Sequence, residues 1–315
     1  MASPILPLGE PMHAAVLRYL DQVARHGSIR RAAAATNVAS SAINRQILRL
    51  ERDLGAALFV RRRDGVVLTP VGEAMLRHVR DTLADFKRAK GEIEGLRGIV
   101  SGEVRIAALD SLLVQFVPDT LSDLARRYPH LTFSVTAQGP ADLAEELRSG
   151  RADIALSFVD QRYRDVEVVA AQKTPLGAVV APSHPLAGRK RVPVGECADY
   201  PAILVHDRMP LTPTLEAEFA RHRTVFRARF TSNSLEFMRA MLLAGLGVGF
   251  FTRLGFMREI AQGRLVHVPL AEPGLRNVAL GVLVMRRRPM SPAVELTLEA
   301  IRRNLAALGR GAKAA

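Results

Sequence analysis

Ser40, Ser41, Asn44 and Arg45 stand one and four positions apart, which puts them on one face of a helix. Their types suit the reading of base edges. An Arg fork pairs with two major-groove acceptors of guanine, and an Asn amide pairs with adenine. Arg49 follows one helical turn later, and Arg61, Arg62, Arg63 and Thr69 lie a short way downstream. These five suit phosphate oxygens or the minor groove, where contacts position a protein without specifying a sequence. A solvated charged face is the competing reading of the same arginines.

Such a face needs elements to hold it. Ile43, Ile47, Leu50 and Leu54 recur at threes and fours and give the helix an apolar back. Before it, Ala32 to Ala35 form a run of small, helix-favouring residues that lets a second helix cross closely. Thr36 and Asn37 break that run with types that suit a turn. Ala39 has no capping side chain, so Ser40 is expected to be the N-cap. Upstream, Met12 to His26 reads as a helix with Leu17, Leu20 and Val23 on one face, ended by Gly27, with Ser28 capping the next helix. Downstream, Leu58-Phe59-Val60 and Val66-Val67-Leu68-Thr69 flank Arg61-Arg62-Arg63-Asp64-Gly65, and Asp-Gly between β-prone runs predicts a hairpin. The sum is a helix-turn-helix with a basic wing, which lays its second helix in the major groove of double-stranded DNA. Thr69-Pro70 then opens a long helix, from about Val71 to Arg97. Leu76, Val79, Leu83, Phe86 and Ile93 give it a heptad-like seam, expected to pair with the same helix of a second chain.

This block resembles the N-terminal domain of LysR-type transcriptional regulators. The match runs through Gly27-Ser28, Arg31-Ala32-Ala33, Ala42, Ile43, Arg45, Gln46, Ile47, Leu50, Glu51, Leu54, Gly55, Leu58, Phe59 and Arg61, and closes on Leu68-Thr69-Pro70 and Gly72. Two positions depart from the pattern. The family usually has Ser-Gln where this chain has Ala39-Ser40, and often Ser where it has Asn44. Both departures fall on the base-reading face and bear on the operator sequence rather than the fold. The resemblance implies that the long helix is the linker that dimerises the protein, that the assembly is a homotetramer built as a dimer of dimers, and that RNA polymerase is a further partner.

From Glu103 the texture changes to short β runs alternating with helices, which predicts a parallel sheet with helices on its faces. Strands are expected at Val104–Leu109, Leu131–Gln138, Ala152–Phe158, Leu176–Val180, Ala202–His206, Phe226–Thr231 and Val278–Met285. Helices are expected at Ser111–Tyr128, Ala141–Ser149, Leu215–His222, Ser234–Ala244, Arg253–Ile260 and Ala293–Leu308, with a disordered tail from Gly309. This half resembles the LysR effector domain at Val104-Arg105-Ile106-Ala107, Val117-Pro118, Tyr128-Pro129, Gly150-Arg151-Ala152-Asp153-Ile154-Ala155, His184-Pro185-Leu186 and Ala244-Gly245-Leu246-Gly247-Val248-Gly249. The implied architecture is two α/β subdomains joined by crossing strands, like periplasmic solute-binding proteins. The expected domains are thus a winged helix-turn-helix over 1–70, a linker helix over 71–98 and an effector domain over 99–315. One subdomain would take about 99–168 and 272–315, the other about 169–271.

Ligands in open α/β sheets bind at the carboxyl ends of strands. That rule selects Ser111, Gly139, Ser157, His206, Ser232 and Asn233, whose hydroxyls and helix-start N–H groups favour a small anion. The resemblance adds weight to Ser111, because effector pockets of the family commonly use a Ser or Thr there. Helix capping is the competing role for such residues.

Composition narrows the function classes. The 315 residues carry 44 Lys+Arg against 31 Asp+Glu, a formal net charge of +13, which invites polyanions. The basic residues spread over both halves, so the placement of Arg61 to Arg63 weighs more than the total. A single cysteine, Cys197, excludes an internal disulfide framework and fits a reducing compartment. No signal peptide is expected, and the most apolar runs, 240–251 and 278–285, fall short of the roughly 20 residues that span a bilayer. A cytoplasmic protein without membrane contact is expected. The eight histidines show no metal-ligand spacing, no Walker loop or nucleophile elbow appears, and neither cofactor nor metal is expected. These readings converge on a DNA-binding regulator, not an enzyme, controlled by a small anionic effector in the C-terminal cleft. The alternatives are an effector-independent repressor or architectural protein with a vestigial cleft, and an enzyme built on a solute-binding-like fold.

Overall fold

The computed structural model describes residues 15–96, 99–159, 165–205, 217–221, 226–276 and 278–311. The chain divides into two compact units. One runs up to Ile93 and includes Arg288–Ser291; the other comprises Glu94–Arg287 and the chain from Pro292 onward.

The first unit contains α1 (Ala15–His26), α2 (Ile29–Thr36), α3 (Ser40–Leu54), the hairpin β1 (Phe59–Arg62) and β2 (Gly65–Leu68), and the long α4 (Pro70–Leu96). Its core has two parts. Val23, Ala32, Ala33, Ile43 and Ile47 pack α1, α2 and α3 together, so the small alanines of α2 are what admit α3 so closely. Leu20, Leu58, Leu76 and Val79 join α1, the start of the wing and α4. Leu76 and Val79, expected on an intermolecular seam, are 5% and 0% exposed and fill the head's own core. The outer residues of that seam differ: Phe86 is half-buried and Ile93 is 53% exposed. Asp21, 4% exposed, ties α1 to α4 by accepting from Arg25 Nε at 2.6 Å and Arg80 Nε at 2.9 Å.

The turn between α2 and α3 is made by Asn37, which takes the left-handed conformation (φ 54°) and donates its N–H to the carbonyls of Ala33 and Ala34. Asn tolerates that region better than most residues. Ser28 caps α2 as expected, accepting from Arg31 N. The expected cap of α3 does not form. Its N-cap is Ala39, without a side-chain hydrogen bond, and Ser40 is the first helical residue. The wing also differs in detail. Arg62 pairs with Gly65, so the two-residue turn is Arg63-Asp64 rather than Asp64-Gly65. Gly65 opens β2 at φ 144°, and a Cβ there would meet the Gly27 carbonyl oxygen at 2.0 Å. Glycine is needed because Val66 N bonds that same carbonyl at 2.9 Å, which docks the wing against the α1–α2 corner.

The second unit holds two five-stranded sheets. In the first, β3 (Ser101–Ala108) lies between β4 (His130–Ala137) and β5 (Ile154–Phe158), all parallel. The antiparallel β12 (Ala279–Met285) and β6 (Val166–Lys173) complete it. In the second, β8 (Ala202–Val205) lies parallel between β9 (Ala228–Ser232) and β10 (Val248–Thr252). The antiparallel β7 (Leu176–Val180) and β11 (Val266–Pro269) follow. The chain thus crosses between sheets at Thr174–Pro175 and again at 270–278. Because β6 belongs to the first sheet, the first crossing falls six residues later than the expected 168. Neither β6 nor β11 was expected; both are edge strands whose burial does not alternate cleanly.

Helices cover these sheets: α5 (Asp110–Leu113), α6 (Phe116–Arg127), α7 (Pro140–Arg148), α8 (217–221), α9 (Leu235–Leu243), α10 (Met257–Ala261), α11 (Pro273–Arg276) and α12 (Pro292–Gly311). Short 3-10 helices occupy Val194–Asp199 and Arg253–Phe256. The single helix expected over Ser111–Tyr128 is two helices, broken at Gln115 (φ −141°, ψ −54°). The expected tail begins later, since α12 continues through Gly311. Of the expected helix at Leu215–His222, only 217–221 falls within the described residues.

Candidate functional site

On the first unit the candidate nucleic-acid face is α3 and the wing. Burial of Ile43 and Ile47 turns Ser41, Arg45 and Arg49 outward, with Ser40 and Asn44 half-buried beside them. Leu48, 45% exposed, sits in the same outward stripe. Arg61, Arg62 and Arg63 are all exposed at the wing tip. Among the described residues, Arg45, Arg49 and these three make no ion pair with a carboxylate. Glu51 sets the wing against α3, a role the spacing did not announce: its Oε1 accepts from Leu58 N at 2.7 Å and Phe59 N at 3.2 Å. Thr69 does not keep the phosphate role expected of it. Its hydroxyl donates to the Ala57 carbonyl at 2.7 Å and accepts from Gly72 N at 2.9 Å, so it caps α4 and has no proton left for an anion.

In the second unit three expected residues converge on one sheet edge. Ser111 follows β3, Gly139 follows β4 and Ser157 lies near the end of β5, which are neighbouring parallel strands. Backbone bonds hold those ends level: Leu109 N to Leu156 O at 3.1 Å and Gln138 N to Ala108 O at 3.0 Å. Ser111 is half-buried, in the first turn of α5, whose N-cap Leu109 offers no side chain to its N–H groups. Gly139 is the N-cap of α7 and likewise has no side chain to offer. Ser157 is 1% exposed, opposite Gly281 on β12, and its hydroxyl has no partner among the described residues. A buried hydroxyl left unpaired costs about 1–3 kcal/mol. Asp110 is exposed, in the first turn of α5.

Ser232 and Asn233 stand at the end of β9 in the second sheet. Ser232 Oγ accepts from Ser234 N at 3.1 Å, and Ser234 caps α9 by accepting from Phe237 N at 3.3 Å. The Ser232 oxygen is therefore already engaged, while Asn233 is exposed. His206 lies outside the described residues.

The two sheet edges meet at Gly255. A Cβ on Gly255 would lie 3.2 Å from Ser111 Cβ, so the 3-10 helix after β10 packs directly on the start of α5. Arg239, buried at 9% exposure on α9, fixes that loop by donating from Nη2 to the Gly255 carbonyl at 2.9 Å. Its ring-facing side lies over Phe256, with the guanidinium carbon 5.8 Å from the ring centroid. Arg239 escaped the sequence reading because an arginine in an apolar helical run shows no partner until Gly255 and Glu259 are folded beside it. The Gly150-Arg151-Ala152-Asp153 motif proves to be scaffolding. Asp153 takes a two-pronged hydrogen bond from Arg105 (3.1 and 2.7 Å), and Arg105 Nη1 reaches the Gly150 carbonyl at 2.5 Å.

Two ionisable groups bear on chemistry here. Burial pushes the Cys197 thiol up to about 12, with Glu272 and Glu196 adding to the effect. Burial likewise pushes His267 down to about 4; its ring bonds the Phe251 carbonyl at 3.1 Å. Among the described residues no group of His, Cys, Asp and Glu is placed to hold a metal ion, and no helix is long and apolar enough to cross a membrane.

Comparison with known proteins agrees with this geometry. Residues 15–73 match the model of the bacterial regulatory helix-turn-helix protein, lysR family, and residues 97–306 match the LysR substrate binding domain. The RuBisCO operon transcriptional regulator of Allochromatium vinosum is 26% identical, over 88% of this chain and 91% of its own. The HTH-type transcriptional regulator CbbR of Sinorhizobium medicae (strain WSM419) is 30% identical over 83% of each. Full-length OxyR C199D from Pseudomonas aeruginosa shares the fold at a TM-score of 0.69, with 19% identity over 94% of this chain and 95% of that one. The relatives are transcriptional regulators rather than enzymes, and the chain belongs to the LysR family of transcriptional regulators.

Proposed function

We propose that this regulator reads an interrupted palindrome in double-stranded DNA with α3, steadies itself on phosphates with the wing, and answers to a small anionic effector in the cleft at Ser111. The five exposed arginines of α3 and the wing, without a carboxylate partner among the described residues, carry the DNA part of this reading, because unneutralised guanidinium groups attract a polyanion. Ser41, Asn44 and Arg45 address bases, with Ser40 beside them at the helix start, while Arg49, Arg61, Arg62 and Arg63 address phosphates or the minor groove. Dimerisation falls to the outer part of α4, around Phe86 and Ile93, since Leu76 and Val79 are taken up by the head's core and Leu83 packs against it. A homotetramer and contact with RNA polymerase belong to the same reading.

The effector part rests on Ser111 and the unpartnered Ser157 hydroxyl. An anion there gains N–H groups at the starts of α5 and α7 that no side chain caps, and the positive end of α7. Gly255 makes Ser111 a point of contact between the two sheets, so a ligand there bears on the angle between them.

A peroxide-sensing role, suggested by relatives such as the hydrogen peroxide-inducible genes activator of Escherichia coli (25% identical), does not fit this chain. Its one cysteine is 0% exposed and its thiol is held protonated, whereas redox-sensing thiols are exposed and of low pKa.

Genome-wide mapping of bound DNA tests the DNA part. Sharp peaks over paired half-sites are expected, and diffuse occupancy would replace specific regulation with an architectural role. Thermal shifts against small carboxylates test the cleft. A shift lost in Ser111→Ala is expected, and no shift with any acid would favour an effector-independent repressor.

A further inference from the structure

Leu48 is the residue of the outward face of α3 that polar recognition leaves unexplained. Ile43 and Ile47 enter one core cluster of the first unit, and Leu50 packs against the other. Leu48 joins neither and stands 45% exposed. Its place on the helix is the reason. At about 3.6 residues per turn it falls among Ser41, Arg45, Arg49 and Arg52, all exposed, on the side turned away from the buried stripe.

The neighbours restrict what can cover it. Arg45, Arg49 and Arg52 have no carboxylate partner among the described residues, and the first turn of α3 holds no acidic residue. Such a face lies against an anion, so the leucine is covered by part of the same anionic partner. A phosphate is the wrong part. Leucine has no donor, and pressing it on a charged oxygen strips water without a hydrogen bond in return. The floor of the major groove offers a better match. Beside the donors and acceptors that suit Ser, Asn and Arg, it displays one apolar group, the C5-methyl of thymine. Cytosine in the same place presents an N4 amine, a donor that leucine cannot satisfy. Arg45 and Leu48 are three residues apart, about 4.5 Å along the axis. That is close to the base-pair spacing of about 3.4 Å, so the two side chains address neighbouring base pairs.

We propose that Leu48 is a specificity-determining residue that reads a pyrimidine C5-methyl group, thymine in unmodified DNA, at a base pair next to the one read by Arg45. The proposal rests on α3 being the base-reading helix and adds an apolar contact to its polar ones. The exposed arginines fix where the helix lies, and Leu48 separates thymine from cytosine at one position of each half-site. A 5-methylcytosine carries the same group and is accepted better than cytosine.

The probe is the duplex that the full-length protein recovers from a randomised DNA pool. Its thymines are replaced one at a time by deoxyuridine, which deletes the methyl and keeps the hydrogen-bonding edge. At one position of a half-site the replacement should weaken the wild type by about 4-fold, the scale of one buried methyl group. Leu48→Ala should bind the parent duplex more weakly and make no distinction between thymine and uracil there. With a C·G pair at that position, 5-methylcytosine should bind the wild type about 4-fold tighter than cytosine. Because Leu48 lies outside both core clusters, Leu48→Ala should melt with the parent protein. Equal uracil losses in wild type and variant would give the methyl to another residue and overturn the proposal. The absence of any sensitive thymine, or a lowered melting transition in Leu48→Ala, would do the same. These results would leave base reading by α3 standing. A recovered pool with no shared sequence would overturn that reading, and this proposal with it.

Discussion

Arginine is used in two opposite ways in this chain. On α3 and the wing, Arg45, Arg49, Arg61, Arg62 and Arg63 face solvent without a carboxylate among the described residues. In the second unit Arg105, Arg127, Arg148, Arg151, Arg189, Arg239 and Arg264 each have one within 4 Å. A guanidinium is always charged, so the difference lies in what neutralises it. A partner in the same chain turns the charge into a brace. Without one, the charge is left for a polyanion outside. The near-equal spread of basic residues along the sequence hides this division, and folding exposes it. The division also makes separable predictions: braces should report in stability, free arginines in binding.

The largest effect is expected at Arg105. Its fork holds Asp153 and the Gly150 carbonyl, with both ionic side chains under 20% exposed. Arg105→Ala leaves Asp153 half-buried without that partner, and breaking such a pair costs about 3 kcal/mol. Thermal unfolding of the full chain should show the second unit melting several degrees lower, with affinity for any DNA unchanged below that transition. An unshifted transition would mean that the brace is idle.

Arg45→Ala should do the reverse. Loss of about 1–3 kcal/mol is expected on the operator and little on random DNA, as for a base-reading arginine. The melting curve should not move. Equal losses on both DNAs would demote Arg45 to a phosphate contact. At the wing, Arg62→Ala and Arg63→Ala should weaken binding on every sequence alike, each lowering the salt slope by about 1. A sequence-dependent loss there would mean that the wing, too, reads bases.

How legible this was depends on whether the information was local. The helix-turn-helix could be read because Ile43, Ile47 and Leu50 repeat at the helical period, and because the turn at Asn37 needs only one residue to bend. The sheet edge with Ser111 and Gly139 could be read because strand ends follow from short apolar runs. What escaped depends on contacts far apart in sequence. Thr69 reads as a phosphate ligand until Ala57 and Gly72 claim its hydroxyl. Leu76 and Val79 read as a dimer seam until Leu20 and Leu58 cover them. Ser40 reads as a cap, yet the chain enters α3 one residue earlier, at Ala39. β6 and β11 are edge strands with no alternation to betray them, and only the strands beside them define them. Arg239 carries no pattern at all; its meaning lies in a carbonyl supplied by a distant residue.

The smallest predicted effect sharpens the comparison most. Arg127 and Asp123 form an i,i+4 pair at 3.0 Å on α6, with both side chains more than half exposed. Geometrically the pair resembles a brace, but water screens it, and holding two long side chains in one arrangement costs entropy. Such pairs are worth about 0–1 kcal/mol. Arg127→Ala should therefore leave the melting transition within about a degree of the parent, and DNA binding should not change. A shift as large as that of Arg105→Ala would show that pairing alone makes an arginine structural here. The expected null would show that burial is the deciding variable: Arg105 braces because its carboxylate is shielded, Arg127 is paired without consequence, and Arg45 is kept free for a partner the chain does not contain.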